Sequence, residues 1–244
     1  MLKKFMTSSP VHHDKDAHTT SGNASLNRLR AAVLGGNDGI VSVASIVLGV
    51  AGATDARGTI FTAGLAGLVA GALSMGVGEY VSVSTQRDTE RAYIQHEEWE
   101  LSHRPEEELA ELAQMYEEKG ASAATAKKLA KELTDKDALK AHLDVELNID
   151  AEDLTNPWHA AIASLLSFTA GALIPLVSVL LAPVHTRFYV TFVAVTVALV
   201  LTGYLSATAG GASRRRAIVR VVVGGALAMF ITYGIGHLFG TAVQ

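Results

Sequence analysis

Five long apolar stretches, at residues 29–53, 58–86, 158–182, 188–209 and 217–240, constrain this chain more than any other feature. Each is long enough to cross a bilayer as a helix, which takes about 20 residues. Inside hydrocarbon every backbone N–H and C=O must be satisfied within the segment, so stretches of this length are helical. The expected fold is all-α: a polytopic membrane protein with five transmembrane helices and a cytoplasmic helical domain between the second and third. Composition agrees, since 49% of the 244 residues are hydrophobic and only 18% are charged, an unusual balance for a soluble domain.

The organisation read from the sequence is a polar tail over 1–25, spans one and two within 26–87, a hydrophilic domain over 88–155, and spans three to five within 156–244. The tail carries His12, His13 and His18 but no apolar core, so it is expected to be a solvated, disordered segment and not a cleaved signal peptide. Gly67 and Gly71 give the second span a small-xxx-small spacing that lets helices approach closely. The third span opens on Asn156, Pro157 and Trp158, which suit an N-cap, a first helical turn and a membrane interface. Pro175 should kink that helix midway.

Basic residues set the orientation. With the N-terminus in the cytoplasm and the C-terminus outside, 18 of the 20 Lys and Arg residues fall on the cytoplasmic side, and only Arg57 and Arg187 face out.

The hydrophilic segment reads as helices. "RAYIQHEEWELSHR" extends the second span, "PEEELAELAQMYEEKG" runs from Pro105 to a stop at Gly120, and "SAATAKKLAKELT" and "DKDALKAHLDVELNI" each offer an N-cap and spaced leucines. Of the 24 acidic residues, 19 lie between Asp88 and Asp153, which argues against nucleic acid and for a cationic partner. Glu97 and Glu100 are three apart, as are Glu108 and Glu111, and His142 and Glu146 are four apart. Each spacing puts two side chains on one helix face, as ligands of a common ion require, although solvated helices show the same pattern. Oxygen donors with a histidine suit Fe²⁺ or Mn²⁺, and also Co²⁺ or Zn²⁺, better than Cu⁺. The absence of cysteine excludes thiolate sites and disulfides. No phosphate-binding loop or nucleophile–base pair is present, which disfavours ATP-driven pumping and hydrolysis.

Within the spans only Asp38 and Glu79 are acidic. Intramembrane carboxylates usually serve a cavity, an ion path or a proton relay. Counting from Arg28 places Asp38 ~15 Å deep, and counting back from Arg87 places Met75 at ~18 Å and Glu79 at ~12 Å. Asp38 thus falls between the levels of Met75 and Glu79. If the first two spans pack together, the three side chains can face one cavity, where a carboxylate with a thioether offers a transient site for a borderline divalent cation. The competing reading is a structural carboxylate paired to Asn37 or to backbone near Gly35, Gly36 and Gly39. Those glycines should also loosen the helix and admit water or an ion to its backbone.

"NRLRAAVLGGNDGIVSVASIVLGVAGA", "GALSMGVGEYVSVSTQRDTE", "NPWHAAIASLLSFTAGALIPL" and the glutamate-rich insert together resemble the vacuolar iron transporter family in its bacterial form, over about Leu26 to Phe239. The resemblance implies a five-span homodimer in the bacterial plasma membrane that moves Fe²⁺, and often Mn²⁺ or Co²⁺, out of the cytoplasm in exchange for protons. It implies a path between the first two spans of each subunit. The family's first-span aspartate falls on Asp38 and its second-span methionine on Met75. Its cytoplasmic glutamates fall on Glu97, Glu100, Glu108, Glu111 and Glu146. Two positions depart from plant members: His142 stands where they have methionine, and Gly67 where they have a second-span glutamate. Glu79 is the candidate substitute for proton coupling. Two other classes stay open at this stage: a membrane-anchored di-iron oxidase, for which Glu100 and His103 supply only one of two required Glu-x-x-His elements, and a metal-gated channel or sensor.

Overall fold

The structure, a computed structural model, describes residues 21–151 and 154–242, with side chains described for 29–151 and 154–240. The three tail histidines lie outside the described residues. Seven α-helices follow one another, and among the described residues there is no strand: α1 (Ser21–Ala53), α2 (Arg57–His103), α3 (Pro105–Glu118), α4 (Ala123–His142), α5 (Pro157–Leu181), α6 (Arg187–Ala209) and α7 (Arg214–Ala242). Five of them, α1, α2, α5, α6 and α7, are long and apolar enough to cross a membrane, as the sequence pattern requires. The chain is a multi-pass membrane protein. The first turn of α1 takes in Ser21–Ser25, which the sequence reading gives to the tail.

Helix α1 sits at the centre of the bundle, against α5, α7, α2 and α6. Glycine makes this possible. A Cβ on Gly35 would lie 2.6 Å from the carbonyl oxygen of Ser164, and one on Gly39 would overlap the carbonyl of Phe168. Gly171 meets the backbone of Gly36 in the same way, so α1 and α5 touch main chain to main chain. This corrects the expectation that the glycines around Asp38 open the backbone to water. Helix α1 is continuous through them, and Gly35 and Gly39 are buried against α5. The space in the small-xxx-small motif of α2 is used within the same chain. Gly67 accommodates Ile46 of α1, and Gly71 accommodates the ring of Phe168. Val43, Val47, Ile60, Leu68, Phe168 and Leu176 form the apolar core where α1, α2 and α5 meet.

At the head of α5 the Asn156 side chain accepts from the backbone N–H of Trp158 at 2.9 Å, and Pro157 occupies the first turn, as expected for a cap followed by proline. The helix runs unbroken from Pro157 to Leu181 with Pro175 buried inside it.

Helix α2 is the connector. It crosses the membrane and continues without a break to His103, for 47 residues in all, carrying its last turns into the hydrophilic domain. There the chain reverses at Arg104 into α3, which ends at Glu118 and is followed by Gly120, a residue with φ +98°. Ser122 caps α4 by accepting from Thr125 N–H. Asp137 then leaves helical geometry (φ −167°, ψ 92°) and its carboxylate accepts from Lys140 N–H at 3.0 Å. Asp137 therefore caps a second short helix, which matches the two segments read from the sequence. That helix closes in a π-helical turn, Leu143–Leu147, ending at Asn148 in the left-handed region. Leu112, Ala113, Ala130 and Ala141, flanked by Leu109, Tyr116, Leu133 and Val145, hold α3 against α4.

Candidate metal centre

Three elements converge below the membrane bundle. The last turns of α2 present Glu97 and Glu100, the first turns of α3 present Glu108 and Glu111, and the end of α4 with its π turn presents His142 and Glu146. The reversal at Arg104 folds α3 back so that the two glutamate pairs face one another. The apolar contact of α3 with α4 brings in the histidine.

At the centre Glu97, Glu108 and His142 each offer one donor atom, and these atoms lie within 4.8 Å of one another. Their side chains are almost fully buried, at 4%, 6% and 0% exposure respectively. His142 Nδ1 is 3.0 Å from Glu97 Oε1 and 3.8 Å from Glu108 Oε2. Despite the short approach, Nδ1 and Oε1 do not meet in hydrogen-bond geometry, and both remain without a hydrogen-bond partner, as does His142 Nε2. Buried polar atoms are otherwise paired in folded proteins, since leaving one unpaired costs about 1–3 kcal/mol. Unpaired carboxylate and imidazole donors around one point fit a divalent cation, which replaces the missing partners. Glu100 is partly exposed, and Glu111 and Glu146 are exposed, so they form an outer, water-facing tier.

The electrostatics link the two tiers. Burial pushes the Glu97 carboxyl up to about 7, aided by the charges of Glu146, Glu108, Glu100 and Glu111. Desolvation raises Glu108 as well, with Glu100, Glu111 and Glu146 adding to it and Arg104 opposing. Glu146 is raised by desolvation and by Glu111 and Glu100, while His96 opposes. Desolvation lowers His142, partly offset by Glu111 and Glu100, so its imidazole is held neutral and able to ligate. All six residues picked by spacing thus share one electrostatic neighbourhood.

The membrane carboxylates are arranged differently. Asp38 is half-buried, and its Oδ1 accepts from the Ser42 hydroxyl at 2.6 Å, one turn along α1. Its hydrogen-bond partner among the described residues is thus Ser42, and not Asn37 or glycine backbone as read from the sequence. Glu79 is buried and takes a charge-assisted bond at 2.8 Å from Arg30 Nη2. Sequence reasoning missed both partners. Ser42 was legible as the residue four past Asp38, but Arg30 needed the register of α1 against α2. That register also corrects the depth of Asp38, which counting along the spans places between the levels of Met75 and Glu79. Arg30 meets Glu79, and Ile46 meets Gly67. Asp38 lies midway between Arg30 and Ile46, and Leu73 lies midway between Gly67 and Glu79. Asp38 is therefore level with Leu73, between Gly71 and Met75. Met75 itself is half-buried and packs on the core around Phe168.

Comparison with known proteins follows the same outline. A vacuolar iron transporter of Acanthamoeba castellanii is 41% identical over 99% of this chain and 89% of its own length. Vacuolar iron transporter homolog 2.1 of Arabidopsis thaliana is 37% identical over 88% of this chain and 83% of its own length. VIT-like transporter 1b of Glycine max is 35% identical over 88% and 77% respectively. Residues 29–237, which include both the five spans and the acidic domain, match the VIT family, and the chain belongs to that family.

Proposed function

We propose that this chain is a transporter that exports Fe²⁺, and also Mn²⁺, from the cytoplasm in exchange for protons. The observation that carries the reading is the buried trio of Glu97, Glu108 and His142, in which Glu97 Oε1 and both His142 ring nitrogens have no hydrogen-bond partner. The relatives named as iron transporters support iron as cargo. Mn²⁺, Co²⁺ and Zn²⁺ are accommodated by the same oxygen and nitrogen donors.

In this reading the outer tier of Glu100, Glu111 and Glu146 collects cytosolic cations, and Glu97, Glu108 and His142 hold one. The ion then passes to Asp38 and Met75, which lie about half a turn apart in level on α1 and α2. Glu97, with its carboxyl near 7, binds protons and metal competitively around cytoplasmic pH, as exchange requires. Asp38 handles metal and proton in turn. Glu79, held by Arg30, assists the proton step in place of a glutamate at Gly67.

A homodimer completes the path. Helix α2 has a stripe of small exposed residues, Thr62, Ala66, Ala70, Ser74 and Gly78, beside an apolar ridge of Phe61, Leu65, Val69, Leu73, Val77 and Val81. Small residues at this spacing favour close packing against a second helix in lipid. The distribution of basic residues supports a cytoplasmic N-terminus and acidic domain, with the C-terminus outside. The reading places the chain in a bacterial plasma membrane. Release outside a cell and release into a vacuole are the same vectorial step, away from the cytoplasm.

One assay tests the proposal and separates its competitors. Fe²⁺ uptake, Fe³⁺ formation and lumenal pH are followed together in inside-out vesicles with an acidic lumen. The antiporter takes up Fe²⁺ only with the gradient and alkalinises the lumen. A channel conducts Fe²⁺ whatever the gradient, and a di-iron oxidase yields Fe³⁺ and consumes O₂ without uptake.

A further inference from the structure

On the α6–α7 side of α1 the bundle holds a further polar feature. At the end nearest the acidic domain, α1, α6 and α7 enclose a cavity of about 540 Å³. Its wall has two characters. Leu29, Val33 and Leu34 give an apolar flank, while Arg30, Asn37 and Arg220 supply polar groups.

Those polar groups are incompletely used. Glu79 takes one nitrogen of Arg30, and the Arg30 side chain is still 54% exposed. Arg220 is exposed and takes part in none of the ion pairs among the described residues. Asn37 Oδ1 is buried without a partner, which leaves an unused polar group at the inner end of the cavity. The rim is basic too. Arg214, Arg215 and Arg216 open α7 in exposed positions, with Arg214 held over the Tyr204 ring at 5.1 Å.

We propose that this cavity binds one anionic phospholipid, its phosphate set between Arg30 and Arg220 and an acyl chain laid along Leu29, Val33 and Leu34. Three physical points favour a lipid over a free anion. The cavity lies between membrane-crossing helices, at the level where head groups sit. Basic pockets of this kind between transmembrane helices recognise anionic head groups. The apolar flank would gain nothing from inorganic phosphate but matches an acyl chain.

The test uses purified full-length protein in neutral detergent, titrated with phosphatidylglycerol, phosphatidylcholine or glycerol phosphate and followed by native mass spectrometry and thermal unfolding. The expected result is one saturable phosphatidylglycerol per chain, bound about fivefold or more tighter than phosphatidylcholine, the factor that one arginine contact supplies. Arg220→Gln should erase that preference and Arg220→Lys keep most of it. Ser206→Phe, which fills the cavity without changing charge, should lower binding of phosphatidylglycerol by a similar factor. Arg215→Gln, at the rim, should change nothing. Equal binding of the two lipids overturns the proposal, as does glycerol phosphate matching phosphatidylglycerol, or Arg215→Gln acting as strongly as Arg220→Gln.

Discussion

The chain has two carboxylate sites, and they are built on opposite terms. In the acidic domain six side chains from three elements converge, and the central three are buried with donor atoms within 4.8 Å of one another, those of Glu97 and His142 unpaired. In the membrane a single half-buried aspartate leans on one serine of its own helix. The first arrangement is complete within one chain and suits holding an ion. The second has few donors, so in the proposed pathway an ion resting there would be bound weakly and leave readily, as passage requires. Retention and transit ask for different numbers of donors, and the proposal assigns them to the two regions on that ground.

The largest expected effect breaks the domain side of this contrast. Replacing all three central ligands, as Glu97→Gln, Glu108→Gln and His142→Ala, should weaken Mn²⁺ binding to the purified protein by at least about 100-fold. Titration calorimetry reads the loss directly. Asp38→Asn, by the same titration, should leave the tight site in place. A tight site that survives the triple variant would show that the metal is held elsewhere.

Next in size is the pH dependence. Glu97 is raised from its ordinary 4.5 to about 7 in the fold, so the folded protein binds more protons than the unfolded chain between those values. The metal-free fold should draw full stability from this group below about pH 4.5 and lose it as pH rises through about 7. Metal removes that loss by neutralising the charge. Unfolding temperatures should therefore cross over. Without metal at pH 8, Glu97→Gln should be at least as stable as wild type, and with saturating Mn²⁺ the wild type should be the more stable. Affinity for Mn²⁺ should fall as pH drops below about 7, and a flat profile from pH 6 to 8 would remove Glu97 from the ligand set.

The membrane side can be sharpened through its glycines. Gly39→Ala pushes a methyl into the Phe168 carbonyl and should cost about 1–3 kcal/mol by overpacking. Gly224 has nothing near its Cβ position, so Gly224→Ala should be neutral or stabilise by up to about 1 kcal/mol through helix propensity. Detergent-solubilised unfolding distinguishes the pair. The smallest effect belongs to Ser42→Ala, which frees Asp38 from its one hydrogen bond. It should change the apparent KM for Fe²⁺ by only about fivefold, the worth of one such bond.

The contrast also explains how far sequence alone could reach. Spans were legible because bilayer thickness imposes a length and a composition, both of which are one-dimensional properties. The grouping of the six domain residues was legible because local spacings of three and four residues put each pair on one face. What the spacing left open was their division into a buried trio and an exposed outer tier. That division depends on the reversal at Arg104 and the packing of Leu112 against α4, which are tertiary facts. Around Asp38 the glycines misled, because a glycine that loosens an isolated helix also lets two helices touch. Which role applies depends on whether a partner backbone is present, and here α5 provides it. Arg30 with Glu79 was out of reach for a related reason: 49 residues separate them, and only the helix register joins them.

The central claim is that metal held by the domain leaves through Asp38. Its most direct test is Fe²⁺ uptake into proteoliposomes with an acidic lumen, comparing wild type, Asp38→Asn and the triple domain variant at low and saturating Fe²⁺. Asp38→Asn should abolish uptake at every concentration while leaving tight metal binding intact, and the triple variant should lose uptake at low Fe²⁺ and recover it at saturation. Wild-type uptake by Asp38→Asn would contradict the account outright.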